Sequence, residues 1–190
     1  MTWYQLSFKA QPLPDGIRLE GQTAIVTGSN MGLGFEAAKE LASHGLSKLI
    51  PAVRDLAKGE AAKTEIAQVT PECNIQVWSL DQESWRLEFT RSPTGHEAHI
   101  QINYLGTALL SLLVVEPLKQ RAGRMTITAS SLLDVIWTKA LVARLDPAHI
   151  IVNALNLGDC RSSFHRVGPG VEMFSKYLAW SSAEGGYHCI

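Results

Sequence analysis

The apolar residues of this chain fall into two alternating kinds of segment. Short segments rich in apolar and β-branched residues predict strands at 23–26, 49–53, 74–80, 125–129 and 150–155. Longer segments between them predict helices at 35–44, 55–69 (with Asp55 as the N-cap), 99–118 and 132–145. Strands and helices that alternate in this way are typical of βαβ units. The pattern therefore predicts an α/β fold, with a doubly wound parallel sheet flanked by helices.

The same pattern assigns an inner face to three of the helices. In the first helix, that face consists of Phe35, Ala38, Leu41 and Ala42. In the second, it consists of Ala62, Ile66 and Val69. In the last, it consists of Leu133, Ile136, Trp137 and Ala140. One position disturbs the expected sheet, because Pro51 lies within the second strand and has no N–H to donate.

Residues 98–115 contain no Asp, Glu, Lys or Arg and come near the lower length limit for a membrane span. The segment also contains Gln101, Asn103 and Ser111, which are costly to place in hydrocarbon. It therefore predicts a buried central helix and no membrane association. Residues 1–16 lack the basic and then apolar pattern of a signal peptide, so we expect a cytoplasmic protein.

Composition narrows the function classes further. The chain has 190 residues, of which 46% are hydrophobic and 18% charged, and this apolar content excludes a disordered chain. A formal net charge of -1 gives no indication of a nucleic-acid partner. Three cysteines without motif spacing favour a reducing compartment. His96 and His99 are three residues apart, but beyond Glu97 no Cys or acidic residue lies at metal-ligand spacing to support them. We expect no metal site.

A glycine-rich turn joins the first predicted strand to the first predicted helix. Its sequence is Thr27-Gly28-Ser29-Asn30-Met31-Gly32-Leu33-Gly34. Glycines at such a turn permit a tight bend and close approach of the backbone to a pyrophosphate, and the helix N-terminus attracts the phosphate charge. In this position between strand and helix, the turn predicts a Rossmann-like dinucleotide site.

The spacing T-G-x-x-x-G-x-G resembles the short-chain dehydrogenase/reductase family, in particular filamentous-fungal members that modify secondary metabolites. The resemblance extends, with gaps, over residues 12–186. It implies that pyrophosphate is bound by Gly28, Gly32, Leu33 and Gly34, and ribose by Ser29 and Asn30. It also implies that Arg54 contacts the 2′-phosphate of NADP(H) and that Asp81 contacts adenine. The alternatives are a surface arginine beside Asp55 and Glu60, and a helix N-cap at Asp81.

The resemblance further assigns a catalytic-network asparagine to Asn103 and the catalytic serine to Ser131. The alternatives are a buried asparagine that relieves a helix kink and a serine that caps a helix. The family also needs a Tyr-x-x-x-Lys pair for proton transfer, and this pair is absent. Tyr4, Tyr104 and Tyr177 are followed four residues later by other residue types, and Tyr187 is close to the last residue.

Three family landmarks are missing at defined places. The segment with Tyr and Lys is absent between Ser131 and Leu132, and the Asn-Asn-Ala-Gly turn and its central strand are absent between Asp81 and Ile102. The last strand and helix are absent after Asn156. We therefore expect one incomplete domain over 1–190. Its parts are an N-terminal arm (1–20), a nucleotide-binding half (21–81), a second helix and strand half (98–158) and an irregular tail (159–190).

These observations lead to a functional prediction with one rival. The first hypothesis is an NADP(H)-dependent oxidoreductase of fungal secondary-metabolite biosynthesis, acting on a small ketone or secondary alcohol, with impaired or lost redox activity. The alternative is a non-catalytic remnant or partner-binding subunit, a pseudoenzyme. Family members commonly oligomerise through the helices that match 99–118 and 132–145, so the resemblance implies a homo- or hetero-oligomer through these two helices.

Overall fold

A computed structural model of the chain describes residues 12–81, 95–97, 100–129, 131–156, 181 and 183. The residues up to Asp81 form one compact unit, and residues 95–156 belong to a second. A single domain over 1–190 stays a prediction. Of the predicted irregular tail (159–190), only residues 181 and 183 belong to the described part.

The first unit is built from two successive strand–helix repeats. Its elements are β1 (Thr23–Thr27), α1 (Gly32–Ser43), β2 (Lys48–Val53), α2 (Leu56–Val69), β3 (Asn74–Ile75) and β4 (Trp78–Ser79). The sheet is parallel: β2 pairs with β1 on one side and with both β3 and β4 on the other. The predicted order of parallel strands and flanking helices is confirmed for this unit.

The strand predicted at 74–80 is divided in two, and Pro51 explains the division. The N–H groups of Gln76 and Leu80 donate to the carbonyls of Leu49 and Val53, at 3.0 Å each. In a parallel ladder with this alternation, the nitrogen of Pro51 is the group that should donate to Gln76. Because proline has no N–H, the ladder is interrupted between β3 and β4.

The core of the first unit lies between the sheet and one face of α1 and α2. Phe35, Ala38 and Ala42 of α1 are buried there, as predicted. The inner face of α2 is instead formed by Gly59, Ala62 and Ile66, and the prediction for Val69 is wrong, since 60% of it is exposed. The reason is that α2 lies close to the sheet near its N-terminal end, at Gly59, and not at Val69. A Cβ added at Gly59 would lie 2.6 Å from Val53 Cγ2.

The second unit combines a helical layer with a two-stranded parallel sheet. Its elements are a π-helical segment (Ile100–Gly106), α3 (Thr107–Lys119), β5 (Gly123–Thr128), α4 (Leu132–Val142) and β6 (Ile150–Leu155). β5 and β6 pair over all six residues of each strand, from Gly123 with Ile150 to Thr128 with Leu155. Four predicted elements are therefore present here, with boundaries that differ by a few residues.

The predicted inner face of α4 is confirmed for Trp137, which packs against the core of Met125, Ile127, Leu141 and Ile150, and is wrong for Leu133 and Ile136. Ile136 is 52% exposed and Leu133 is 41% exposed, whereas Asp134, Thr138 and Leu141 are buried. Thr138 can be buried because its Oγ1 donates to the Asp134 carbonyl at 2.8 Å. The pattern of apolar residues therefore predicted a face of α4 that coincides only in part with the buried face.

The expectation of a buried central helix at 98–115 is also wrong. In α3 only Ala108 and Ser111 are buried, and Leu109, Leu112 and Leu113 are each more than half exposed. Among the described residues, Ile100–Lys119 is long and apolar enough to cross a bilayer, with a mean hydropathy of 1.3 and 17% of its apolar window buried. Length and composition alone are weak grounds for a membrane span. Helical periodicity predicts the helix but does not say whether other elements cover it.

Candidate functional site

Three of the predicted site segments meet at the carboxyl edge of the first sheet. β1 ends at Thr27, β2 at Val53 and β4 at Ser79, and the pairing places Thr27 beside Ala52 and Val53 beside Ser79. The glycine-rich turn and Arg54 follow two of these strand ends directly, and Asp81 follows the third by two residues. This edge of a parallel sheet is where open α/β folds bind ligands.

The glycine-rich turn has a backbone that only glycine adopts without strain. Gly28 and Gly32 have φ values of +66° and +60°, and no atom lies within 4 Å of a Cβ built on either residue. Gly34 is restricted for a different reason, since its Cβ would lie 2.7 Å from the carbonyl oxygen of Gly28. The first two glycines therefore shape an open bend, and the third lets α1 pack against it.

Ser29 stabilises this turn through a buried hydrogen bond. Its side chain is completely buried, and its hydroxyl donates to the carbonyl of Val26 at 2.9 Å. The N–H of Gly28 also donates to the carbonyl of Ala52 at 2.9 Å, which fastens the turn to β2. Ser29 thus acts as a brace in this structure, and the ribose contact implied for it stays a prediction.

The N-terminus of α1 is open to an anion. Met31 occupies the N-cap position, its side chain makes no capping hydrogen bond, and no acidic residue lies in the first turn. The first N–H groups of a helix have no partner inside the helix, and the helix dipole adds positive potential there. An uncapped helix end beside a bend with glycine at positions 28 and 32 therefore fits the pyrophosphate of a dinucleotide.

Arg54 is exposed at the end of β2 and is not in an ion pair within the described part of the chain. The acids that might have engaged it have other partners. Asp55 Oδ2 lies 3.6 Å from Lys58 Nζ, and Glu60 Oε2 lies 3.2 Å from Lys63 Nζ. The hydrogen bond from the Lys58 N–H lowers the pKa of the Asp55 carboxyl, which caps α2. Arg54 is therefore available to a phosphate.

The remaining predicted nucleotide contacts lie around the same edge. Asn30 lies just before α1 and Leu33 lies in its first turn, and both are half-buried. Asp81 is exposed. The helix that Asp81 would begin as an N-cap lies outside the described residues, so its adenine role stays a prediction.

The predicted catalytic serine is the N-cap of α4. Ser131 Oγ accepts from the N–H of Asp134 at 3.4 Å, and both the Oγ and the N–H of Ser131 donate to Asp134 Oδ2 at 3.0 Å. This reciprocal arrangement is a capping box, with Asp134 buried beneath it. The structure therefore supports the alternative, helix-cap interpretation of Ser131, and its catalytic role stays a prediction.

Replacing Ser131 with alanine should destabilise the chain by about 0.5–2 kcal/mol, because the cap is lost while buried Asp134 remains. Urea denaturation of the purified chain measures this loss. Ser131→Thr is the matched control and should retain most of the stability, since threonine also caps helices. An S131A variant as stable as the wild type would show that the capping box contributes nothing.

Asn103 lies half-buried in the π-helical segment, which packs against α4. Its neighbour Tyr104 makes an edge-to-face contact with Trp137, with ring centroids 6.5 Å apart and an interplanar angle of 84°. Trp137 Nε1 in turn donates to Ser111 Oγ at 2.9 Å. Asn103 and the helix that begins at Ser131 are therefore parts of one packed layer, at the kind of helical irregularity that is frequent at functional sites.

Two structural residues of this layer were not predicted from the sequence. Asp134 completes the cap of α4, and the spacing S-x-x-D could have indicated it. Ser111 joins α3 to α4 through Trp137, but they are 26 positions apart in the chain, and no local pattern reports such a contact.

Comparison with known proteins finds relatives in sequence and proteins of similar fold. No protein-family profile matches the chain. The short chain dehydrogenase sol3 of Alternaria solani is 37% identical, and the match covers 97% of this chain and 88% of that protein. The short chain dehydrogenase/reductase mfmJ of Annulohypoxylon moriforme is 39% identical over 67% of this chain, which spans 47% of that relative.

A likeness to solved structures supports the fold. The L-sorbose reductase of Gluconobacter frateurii, complexed with NADPH and L-sorbose, has a TM-score of 0.72 at 13% identity, and the match covers 91% of each chain. At that identity the comparison concerns the fold alone. It confirms the predicted Rossmann-like fold of parallel strands flanked by helices.

Proposed function

Because the chain belongs to the short-chain dehydrogenase/reductase family, we propose that it binds NADP(H) at the carboxyl edge of its first sheet. The observation that carries the proposal is the turn of Gly28, Gly32 and Gly34 beside the uncapped N-terminus of α1. The open space at Gly28 and Gly32 fits a pyrophosphate that contacts the backbone. When bound, NADPH supplies a hydride for carbonyl reduction.

The preference for NADP(H) is assigned to Arg54. Its guanidinium follows the second strand, where an acidic residue would favour NAD, and no acid of the described residues pairs with it. The L-sorbose reductase with the similar fold was solved with NADPH, which supports the proposal. The same edge carries Asn30, Leu33 and Asp81 as the further proposed nucleotide contacts.

A thermal-shift titration tests this proposal, with NADPH and NADH compared on the wild type and on Arg54→Ala. A ligand that binds only the folded state must raise the melting temperature as its concentration rises. We expect R54A to weaken NADPH binding about tenfold or more, since hydrogen bonds to charged groups contribute about 1.5–3 kcal/mol. NADH binding should change little.

Arg18→Ala is the control for the charge change, because Arg18 is exposed and lies before β1, away from the strand ends. Its NADPH titration should equal that of the wild type. No shift of the wild type at millimolar NADPH would refute NADP(H) binding, and equal NADPH affinities of R54A and the wild type would refute the role of Arg54.

We further propose that the chain acts on a small ketone or secondary alcohol, in fungal secondary-metabolite biosynthesis, with impaired or lost redox activity. The loss is proposed because no lysine follows a tyrosine by four residues anywhere in the sequence. The match to sol3 supports an internal deletion, since its alignment extends over 253 positions whereas this chain has 190 residues. Dozens of positions of that relative therefore have no counterpart here.

The rival proposal is a non-catalytic subunit that binds a partner, and one surface supports it. Helices α3 and α4 expose large apolar residues, called here together the helix face: Leu109, Leu112, Leu113, Leu132, Leu133 and Ile136. Exposed apolar surface that exceeds what a monomer usually shows marks interaction sites. We propose that a second copy of the chain covers the helix face.

A further inference from the structure

The described part of the N-terminal arm (12–20) is bound by two residues at the end of α1. Glu40 lies in the last turn of α1, and His44 follows the helix as its C-cap. The N–H of Leu13 donates to Glu40 Oε1 at 3.0 Å, and the N–H of Leu19 donates to the His44 carbonyl at 3.0 Å. The arm therefore crosses the C-terminal end of α1, and Leu19 packs against the core of the first unit.

The imidazole of His44 lies between two oxygen acceptors. Its Nδ1 is 3.2 Å from the carbonyl oxygen of Ile17, and its Nε2 is 3.4 Å from Glu40 Oε1. A neutral imidazole has one N–H and can donate to only one of these oxygens, whereas an imidazolium ion donates to both. The side chains of His44 and Glu40 retain only 11% and 15% of their accessible surface, so an unpaired ring nitrogen is costly here. Burial opposes a charge on the ring, and the opposite charge of Glu40 compensates for it.

The position of His44 in the fold also favours a positive charge on its ring. The residue ends α1, and the dipole of a helix stabilises cations at that end. Among the described residues, Glu40 is the only one that forms an ion pair with it. The carboxylate of Glu20 lies against the next residue, since its Oε1 is 3.4 Å from the position of a Cβ on Gly45. The other charged residues of the arm, of α1 and of the start of β2 are Asp15, Arg18, Glu36, Lys39 and Lys48.

We propose that His44 and Glu40 form a pH-dependent clasp on the N-terminal arm, which closes when His44 is protonated and opens as the pH rises and the ring loses its proton. Histidine ordinarily changes its charge between about pH 5 and 8, where a glutamate carboxyl is ionised. The closed clasp binds one more proton than the open one, so a lower pH in this range stabilises the closed state. Release of the arm takes Leu19 out of the core and removes the turn before β1, in which the Gln22 N–H donates to the Leu19 carbonyl at 3.0 Å.

Limited digestion of the full chain with trypsin tests the clasp. Arg18 is exposed and lies between Ile17 and Leu19, whose backbone groups contact His44. Cleavage after Arg18 therefore requires that the arm leaves these contacts. A free peptide with the sequence 12–22 serves as the reference, because its cleavage rate contains only the pH dependence of trypsin itself. Relative to this peptide, the chain should be cleaved after Arg18 about tenfold more slowly at about pH 6 than at about pH 8.5, and mass spectrometry of the peptides that end at Arg18 measures the rate.

Two substitutions remove the proton-dependent contact in different ways. His44→Gln carries no charge at any pH, and Glu40→Gln retains an oxygen that can accept from the Leu13 N–H but has no charge. In both variants the relative cleavage rate after Arg18 should be nearly the same at the two pH values. The matched control is His149→Gln, which removes an exposed histidine–carboxylate pair, with Nδ1 3.1 Å from Asp146 Oδ2. This variant should keep the tenfold pH dependence of the wild type.

Cleavage after Lys48 distinguishes release of the arm from unfolding of the first unit. Lys48 begins β2 and is followed by the fully buried Leu49, so trypsin reaches this bond only when the sheet opens. In the wild type, cleavage there should stay slow at both pH values. A relative Arg18 rate that does not change with pH in the wild type would overturn the proposal. So would a pH dependence in H44Q equal to that of the wild type, or cleavage after Lys48 that rises together with cleavage after Arg18.

Discussion

Replacing Gly34 with alanine is expected to destabilise the chain by about 1–3 kcal/mol and to abolish stabilisation by NADPH. The new Cβ would lie 2.7 Å from the carbonyl oxygen of Gly28 and 3.0 Å from its carbonyl carbon. Both are backbone atoms, so the contact is relieved only if the turn moves away from α1. That movement would displace the N–H groups proposed to bind pyrophosphate.

Chemical denaturation gives the loss of stability, and a thermal-shift titration gives the loss of NADPH response. Gly16→Ala is the matched control, because no atom lies within 4 Å of a Cβ at Gly16 and its φ is ordinary. It should resemble the wild type in both measurements. If G34A also resembles the wild type, the close approach of turn and helix is not what forms the site.

The second large effect concerns turnover. With NADPH and a panel of ketones, the chain should react about 10²–10⁴ times more slowly than the relative sol3 assayed in parallel. The physical reason is that a positioned acid/base contributes rate enhancement of this size, and the Tyr-x-x-x-Lys pair that would supply it is absent. Consumption of NADPH, followed by absorbance, measures both rates.

Tyr104→Phe is the control for this prediction. The Tyr104 ring packs edge-on against Trp137, and we assign it a packing role. Any residual rate should therefore be unchanged in Y104F. A rate equal to that of sol3 would contradict the proposed impairment, and loss of the residual rate in Y104F would identify Tyr104 as a substitute acid/base.

Most strands and helices could be predicted from local patterns, and the exceptions have physical causes. The sequence shows that Pro51 disturbs its own strand. Its effect on the strand predicted at 74–80 depends on which backbone groups of that strand lie opposite Pro51. The inner face of α4 was only partly predicted because two polar residues are buried in it: Asp134 accepts from Ser131 Oγ, and Thr138 donates to the Asp134 carbonyl. Hydrophobic periodicity does not detect a buried polar residue of this kind.

The candidate site was predictable where its chemistry is local. The glycine-rich turn was predictable from its glycine spacing together with its position between a strand and a helix, and the structure gives Gly28, Gly32 and Gly34 distinct geometric reasons. Residue roles that depend on tertiary contacts were harder to predict from the sequence. Ser29 proves to be a buried brace and Ser131 a helix cap, because the partners of each hydroxyl are set by the folded backbone.

Equilibrium dialysis of NADPH against the purified chain tests most directly the claim that the nucleotide-binding half is retained. We expect saturable binding that approaches one NADPH per chain, is displaced by NADP⁺ and is weakened in R54A. Retention of NADPH no greater than that of a protein without a nucleotide site, at millimolar concentration and with the chain folded, would contradict it.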